Sequence, residues 1–222
     1  MATPRELITA AYGFSTKNQP QEIATEETEL LEVVQRSLHR AYAIGARTNP
    51  MFFGKTAAVA ASTATWARPT DAELVFRIEM PDTTEVVVVP MDDRDTEPEQ
   101  PALYRFGQVY YPSGNASDPS TENLTFFYSQ VAPTVADIDA TIDASWPVQF
   151  NNLLIFEIAL YLAHKDGREE ELPRLQSGYN EWLNLFLGFL QHETANERRR
   201  WGHMPLFNHE AITAITDTMP GG

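Results

Sequence analysis

Residues 153–163 read Leu-Leu-Ile-Phe-Glu-Ile-Ala-Leu-Tyr-Leu-Ala, and wound as a helix they are apolar on nearly every side. Phe150, Leu153, Leu154, Ile158, Tyr161 and Leu162 form one stripe, and Ile155, Phe156, Ala159, Leu160 and Ala163 cover much of the rest. A helix of this kind has to be covered from several directions, so the remainder of the chain must fold around it. The run is interrupted by Glu157 and falls well short of the roughly 20 residues that a membrane span needs, so no membrane partner is expected.

The covering elements are legible on both sides. Asp166-Gly167 breaks the chain, and a second helix is expected from about Arg168, or from Pro173 if that proline marks its first turn. Tyr179, Trp182, Leu183, Phe186, Leu187 and Leu190 give this helix its own stripe, so the two helices are expected to form an antiparallel hairpin. At the other end of the chain, Thr3-Pro4-Arg5-Glu6 supplies an N-cap, a proline at the first helical position and a glutamate three residues after the cap. This predicts a short helix ending near Gly13. Ile23, Leu30, Leu31, Val34, Leu38, Ala41 and Tyr42 recur at helical spacing and predict a long amphipathic helix over residues 22–45. Its acids lie toward the start and Arg36, Arg40 and Arg47 toward the end, which suits the helix dipole.

From Lys55 the period changes. Residues 57–66, 74–80, 85–89, 102–111 and 124–128 favour β-structure, and between them lie turn signals such as Arg68-Pro69 and Pro81-Asp82. The expectation is a small antiparallel sheet of about five strands. Residues 135–145 are acidic and lead into Trp146-Pro147, a plausible helix start, with helix over 148–164. The fold class read from these patterns is α+β, mainly α. It is an antiparallel helical bundle of two N-terminal helices and a C-terminal helical hairpin, with an inserted β-sheet and an extended C-terminal arm. The corresponding segments are 1–54, 55–132, 133–200 and 201–222.

Charge is unevenly distributed. The chain carries a net charge of -15, of which residues 71–143, with 15 acids and 3 bases, supply -12. Such a field repels phosphate and argues against tight non-specific DNA binding, while an acidic surface past which DNA slides remains compatible. The absence of cysteine removes disulfides, thiolate zinc sites and cysteine nucleophiles. Residues 1–14 carry Arg5 and Glu6 and lack an apolar core segment, so no secretion signal is expected there.

Motifs of chemistry are missing where they would be expected in an enzyme. The histidines, His39, His164, His192, His203 and His209, have no metal-ligand spacing; His209-Glu210 opens like a zincin motif, but Thr213 stands where the second histidine belongs. Asp92, Asp93, Asp95, Glu97 and Glu99 lack the central glycine and terminal glutamate of a calcium loop. No phosphate-binding glycine loop and no G-x-S-x-G motif occurs. No catalytic residue, metal or cofactor is therefore expected.

Beyond residue 197 helical periodicity fades. Arg198, Arg199 and Arg200 beside Trp201 admit a nucleic-acid reading, but in so acidic a chain they read better as contacts to an acidic protein partner or as a hinge. The remaining tail keeps Leu206, Phe207, Ile212, Ile215 and Met219, apolar residues that suit docking on another surface.

Several landmarks carry a resemblance. Val88-Val89-Pro90-Met91-Asp92-Asp93-Arg94, Pro101-Ala102-Leu103-Tyr104-Arg105, Leu124-Thr125-Phe126-Phe127-Tyr128, and Trp146-Pro147 through Phe150-Asn151-Asn152-Leu153-Leu154 follow in order. Ala159-Leu160-Tyr161-Leu162-Ala163 and Lys165-Asp166-Gly167-Arg168 close the series. Over residues 3–197 the chain resembles the head-to-tail adaptor (connector, or neck) proteins of tailed bacteriophages; Pro173 departs from that pattern, which expects an uninterrupted last helix. The resemblance implies a structural virion protein, assembled in the host cytoplasm into a homo-oligomeric, often dodecameric, ring beneath the portal protein. It further implies a downstream neck or tail protein as second partner, and double-stranded DNA passing through without specific binding. The portal-docking arm would be Trp201, Leu206, Phe207, Ile212, Ile215 and Met219, and Asp92, Asp93 and Asp95 are candidates for lining the channel. A tail-completion or tail-terminator ring protein and a metal-dependent hydrolase are the alternatives.

Overall fold

Thr3 starts the first helix as its side chain requires. In the computed structural model, which describes residues 2–14, 26–93, 100–115, 117–143 and 145–201, without the side chains of 93 and 194–201, the Thr3 hydroxyl accepts from the Glu6 N–H at 3.2 Å. The Glu6 carboxylate in turn accepts from the Thr3 N–H at 3.0 Å. Two donors that a helix start leaves unpaired are thereby satisfied. Helix α1, Pro4–Gly13, follows, and it buries Leu7, Ile8, Ala11 and Tyr12.

Helix α2 spans Glu27–Thr48 and buries Leu30, Val34, Leu38, Ala41 and Tyr42 of the stripe read from the sequence; Val33, which that reading left out, is buried as well, and Leu31 is half-buried. Residues 22–25 of the expected helix lie outside the described residues. At its other end the helix runs past Gly45, where the sequence suggested a stop. A Cβ at Gly45 would collide with the Phe53 ring, so this glycine serves close packing rather than termination.

A 3-10 turn, Val148–Phe150, leads into α3, Asn151–Lys165, and a second, Glu169–Glu171, leads into α4, Leu172–Trp201. Pro173 is the second residue of α4, where a missing N–H leaves no helical bond unmade, so it does not interrupt the helix. Phe150 meets Phe186 and Phe189 at 5.0 and 5.1 Å between ring centres, while Phe156 fills the space above Gly178. Early α3 therefore lies against later α4 and the reverse, so the pair is antiparallel. α1, α2 and α4 all contact α3, the all-round apolar helix.

The β segment differs from the expected single antiparallel sheet. Among the described residues seven strands form two sheets: β1 (Gly54–Val59), β7 (Leu124–Gln130) and β3 (Ala72–Glu79) in the order β1-β7-β3, and β2 (Trp66–Ala67), β6 (Val109–Pro112), β5 (Ala102–Phe106) and β4 (Val87–Val89) in the order β2-β6-β5-β4. β4 and β5 are parallel and the other pairings antiparallel. Two runs read as single strands each fold back. Residues 57–66 are broken by a tight turn in which Thr63 and Ala64 take φ of 53° and 59° and Ser62 and Thr65 exchange backbone hydrogen bonds. Residues 102–111 reverse at Gly107, with φ 62°.

With about 45% helix and 21% strand, the chain is of the mixed α+β class. Buried side chains form two clusters. One unites the helices with Phe53, Ala132, Ile138, Ile142 and Trp146; the other gathers Trp66, Ile78, Val86, Leu103, Tyr110, Leu124 and Phe126 between the strands. Both ends of the β segment are thus fixed in the helical core, where Phe53 stacks on Tyr42 at 3.9 Å. Residues 133–143 form no helix and are stitched down instead. Gln35 brackets Pro133 and Val135, the Arg5 N–H donates to Ile138, and the Ile142 N–H donates to Ala2.

Candidate functional site

Two surfaces carry the sequence-based candidates, and the first is the acidic β segment. β4 ends at Val89, Pro90 follows, and a 3-10 turn, Met91–Asp93, presents an exposed Asp92. The Asp93 side chain and the whole of Asp95 lie outside the described residues. Val88 and Met91, beside them, are exposed apolar residues at 46% and 43%. Other acids of this segment organise their own loops. Asp118 accepts from the N–H groups of Ala102, Gly114 and Asn115 and from the Ser113 hydroxyl. Glu122 and Asp82 accept from the backbone of Ser120, Thr121 and Thr84, and these bonds lower both carboxyl pKa values. At Glu122 and Asp82 the turn backbone thus favours the charged carboxylate.

The second surface is the junction of α4 with the arm. The backbone of Arg198, Arg199, Arg200 and Trp201 continues α4, so the chain is helical where a hinge was expected. Their side chains, together with Leu206, Phe207, Ile212, Ile215 and Met219, lie outside the described residues. What is described is where the helix leaves the core. The Asn49 side-chain amide donates to the Leu190 carbonyl at 3.4 Å, and Phe52 meets Phe189 edge-on at 5.4 Å. Around Leu190, α4 is thus tied to the segment that leads into β1. On the helical surface nearby, Val148 and Leu185 are each 52% exposed, flanking the Phe150–Phe186 contact.

A charged seam joins α2, α3 and α4, and sequence reading missed it. Glu157, seen only as a break in an apolar run, receives Arg40 at 3.2 Å. The Arg40 guanidinium also lies over the Tyr179 ring at 5.9 Å, and Arg36 lies over Tyr161 at 5.6 Å. Tyr161 donates to Glu29, and Lys165 bridges Glu26 and Glu29 at 2.8 and 2.9 Å. Burial pushes the Glu157 carboxyl up, although Arg40 draws it back, and burial raises the Tyr179 hydroxyl to about 12. The only signals available beforehand were an acid inside an apolar helix and, far away in the chain, two arginines one turn apart on α2.

A cavity of about 150 Å³ lies where residues 133–143 cross α2, lined by Leu38, Tyr42, Pro133, Val135, Ile142 and Asp143 among others. The Tyr42 hydroxyl shares a 2.7 Å hydrogen bond with Ser145 and is raised to about 12, chiefly by burial. Among the described residues no group of three or more histidines or acids is placed to hold a metal ion, and no helix is long and apolar enough to cross a membrane. His39, His164 and His192 are exposed, one on each of α2, α3 and α4, and His203 and His209 lie outside the described residues.

The chain matches no protein-family model and no curated protein.

Proposed function

We propose that this chain is a structural head-to-tail adaptor of a tailed bacteriophage, one subunit of a ring beneath the portal that links capsid to tail and forms part of the DNA channel. Support comes first from the ordered landmarks of the sequence. One structural observation adds weight: around Leu190, α4 packs beside the segment that leads into β1, so residues 202–222 follow from a helix anchored next to the β segment. In this reading α1, α2 and the α3–α4 hairpin make an antiparallel bundle, residues 55–132 an acidic insert, and residues 201–222 the portal-docking arm. Val148 and Leu185 supply apolar surface for contacts between subunits.

The reading is tested by mixing the purified chain with the portal of the same particle. The full chain is expected to co-migrate with the portal, and a chain lacking residues 202–222 to lose that association. Portal binding that persists in the shortened chain would remove the arm from the proposal.

A further inference from the structure

A free sheet edge is a row of unpaired backbone groups that invites another strand, and folded proteins usually cover it. Most of the edges here are covered. Along β3, the Arg68 guanidinium donates to the carbonyls of Ala72 and Glu73, and the returning chain supplies the Val86 N–H to Ile78 and takes the Met80 N–H on Thr84. β2 has two residues and is followed by Pro69. β4 has three, with Val86 already engaged before it and Pro90, which has no N–H, after it.

β1 is different. It has six residues, all exposed or half-exposed, and among the described residues no backbone hydrogen bond reaches residues 55–61 from any segment other than β7. The Gln130 N–H donates to the Phe53 carbonyl at 3.0 Å, and Phe53 precedes the register Gly54↔Ser129. Antiparallel pairs alternate, so the N–H and C=O groups of Thr56 and Ala58 point away from β7. On the inner face of the same strand, Ala57 and Val59 pack against the β cluster.

We propose that residues 211–216 of the same chain add to this edge as a further strand. Their sequence, Ala-Ile-Thr-Ala-Ile-Thr, is uncharged, rich in β-branched side chains and as long as β1. Glu210 and Asp217 flank it, whereas β1 carries Lys55 and no acid; Lys55 pairs with Asp71 at 3.3 Å in an exposed contact, and in either direction a flanking acid arrives near it. Whichever face is inward, one isoleucine joins the side of Ala57 and Val59, because residues 212 and 215 alternate in orientation. The path is long enough. α4 runs ~16 Å beyond Leu190, which is anchored next to the start of β1, and the nine residues before Ala211 span up to ~30 Å. Release of this strand when the arm engages a portal rests on the adaptor reading; the pairing itself does not.

Hydrogen exchange on the full chain, read amide by amide, tests it without a portal. The Thr56 and Ala58 amides are expected to exchange at least about tenfold more slowly than in the full-length double variant Ile212→Asp, Ile215→Asp. Amides of β7 are expected to stay equally protected in both, which shows that the sheet is intact. Fast exchange at Thr56 and Ala58 in the unaltered chain would overturn the proposal. So would slow exchange that survives the double substitution, or that is lost on dilution, since each assigns the edge to another occupant. Failure to bind a portal would instead remove the adaptor reading and leave the pairing standing.

Discussion

Glu157 shows how one residue can be visible in a sequence and still be misread. It sits in an apolar run, and its partner, Arg40, lies 117 positions away, so no local pattern could join them. Its folded-state pKa lies above the ordinary value, chiefly because burial disfavours the charged form. A group raised in this way contributes stability that is complete below its unfolded pKa and lost as pH rises through its folded pKa. Glu157→Gln is therefore expected to shift the stability difference between variant and parent in the variant's favour as pH rises from about 5 to about 7. Denaturant melts at both pH values measure it, and a difference independent of pH would show that Glu157 does not titrate in this window.

At the scale of elements, Gly45 marks the boundary between what pattern and what packing dictate. The capping box of α1 and the apolar stripes of α2, α3 and α4 are local and were readable as they stand, because periodicity and caps act within a few residues. Gly45 read as a stop because glycine usually ends helices, yet its role is set by Phe53, which becomes its neighbour only through the tertiary fold. Gly45→Ala improves helix propensity but drives a methyl group into that ring. The variant is expected to lose about 1–3 kcal/mol of stability, checked by chemical denaturation; a gain in stability would show that Phe53 moves aside without penalty. The strands were legible as β-structure but not as two sheets, since the turns at Thr63-Ala64 and Gly107 depend on backbone conformation that runs of Ala, Val and Tyr do not announce. Sheet partnership is non-local in the same way: β1 pairs with β7 across more than half of the β segment. Of the candidate surfaces, the acidic loop was readable from composition, while the point where α4 leaves the core was not, because it depends on the contact between Asn49 and Leu190.

For the whole molecule, the uneven charge becomes meaningful only in an assembly. Most of the net charge belongs to residues 71–143, and the exposed turn at Asp92 presents part of it. If these acids line a duct, like-charge repulsion keeps DNA from adhering during passage. Replacing Asp92, Asp93 and Asp95 by lysine is then expected to slow DNA ejection, measured as dye-accessible DNA released from triggered particles. Unchanged ejection would place these acids on the outside of the ring. The central claim, that this chain is a ring subunit at the portal, is tested most directly by electron microscopy of the purified chain bound to its portal. A closed ring of this chain, coaxial with the portal at its tail-facing end, is expected; a chain that stays monomeric beside an unoccupied portal would overturn the adaptor assignment.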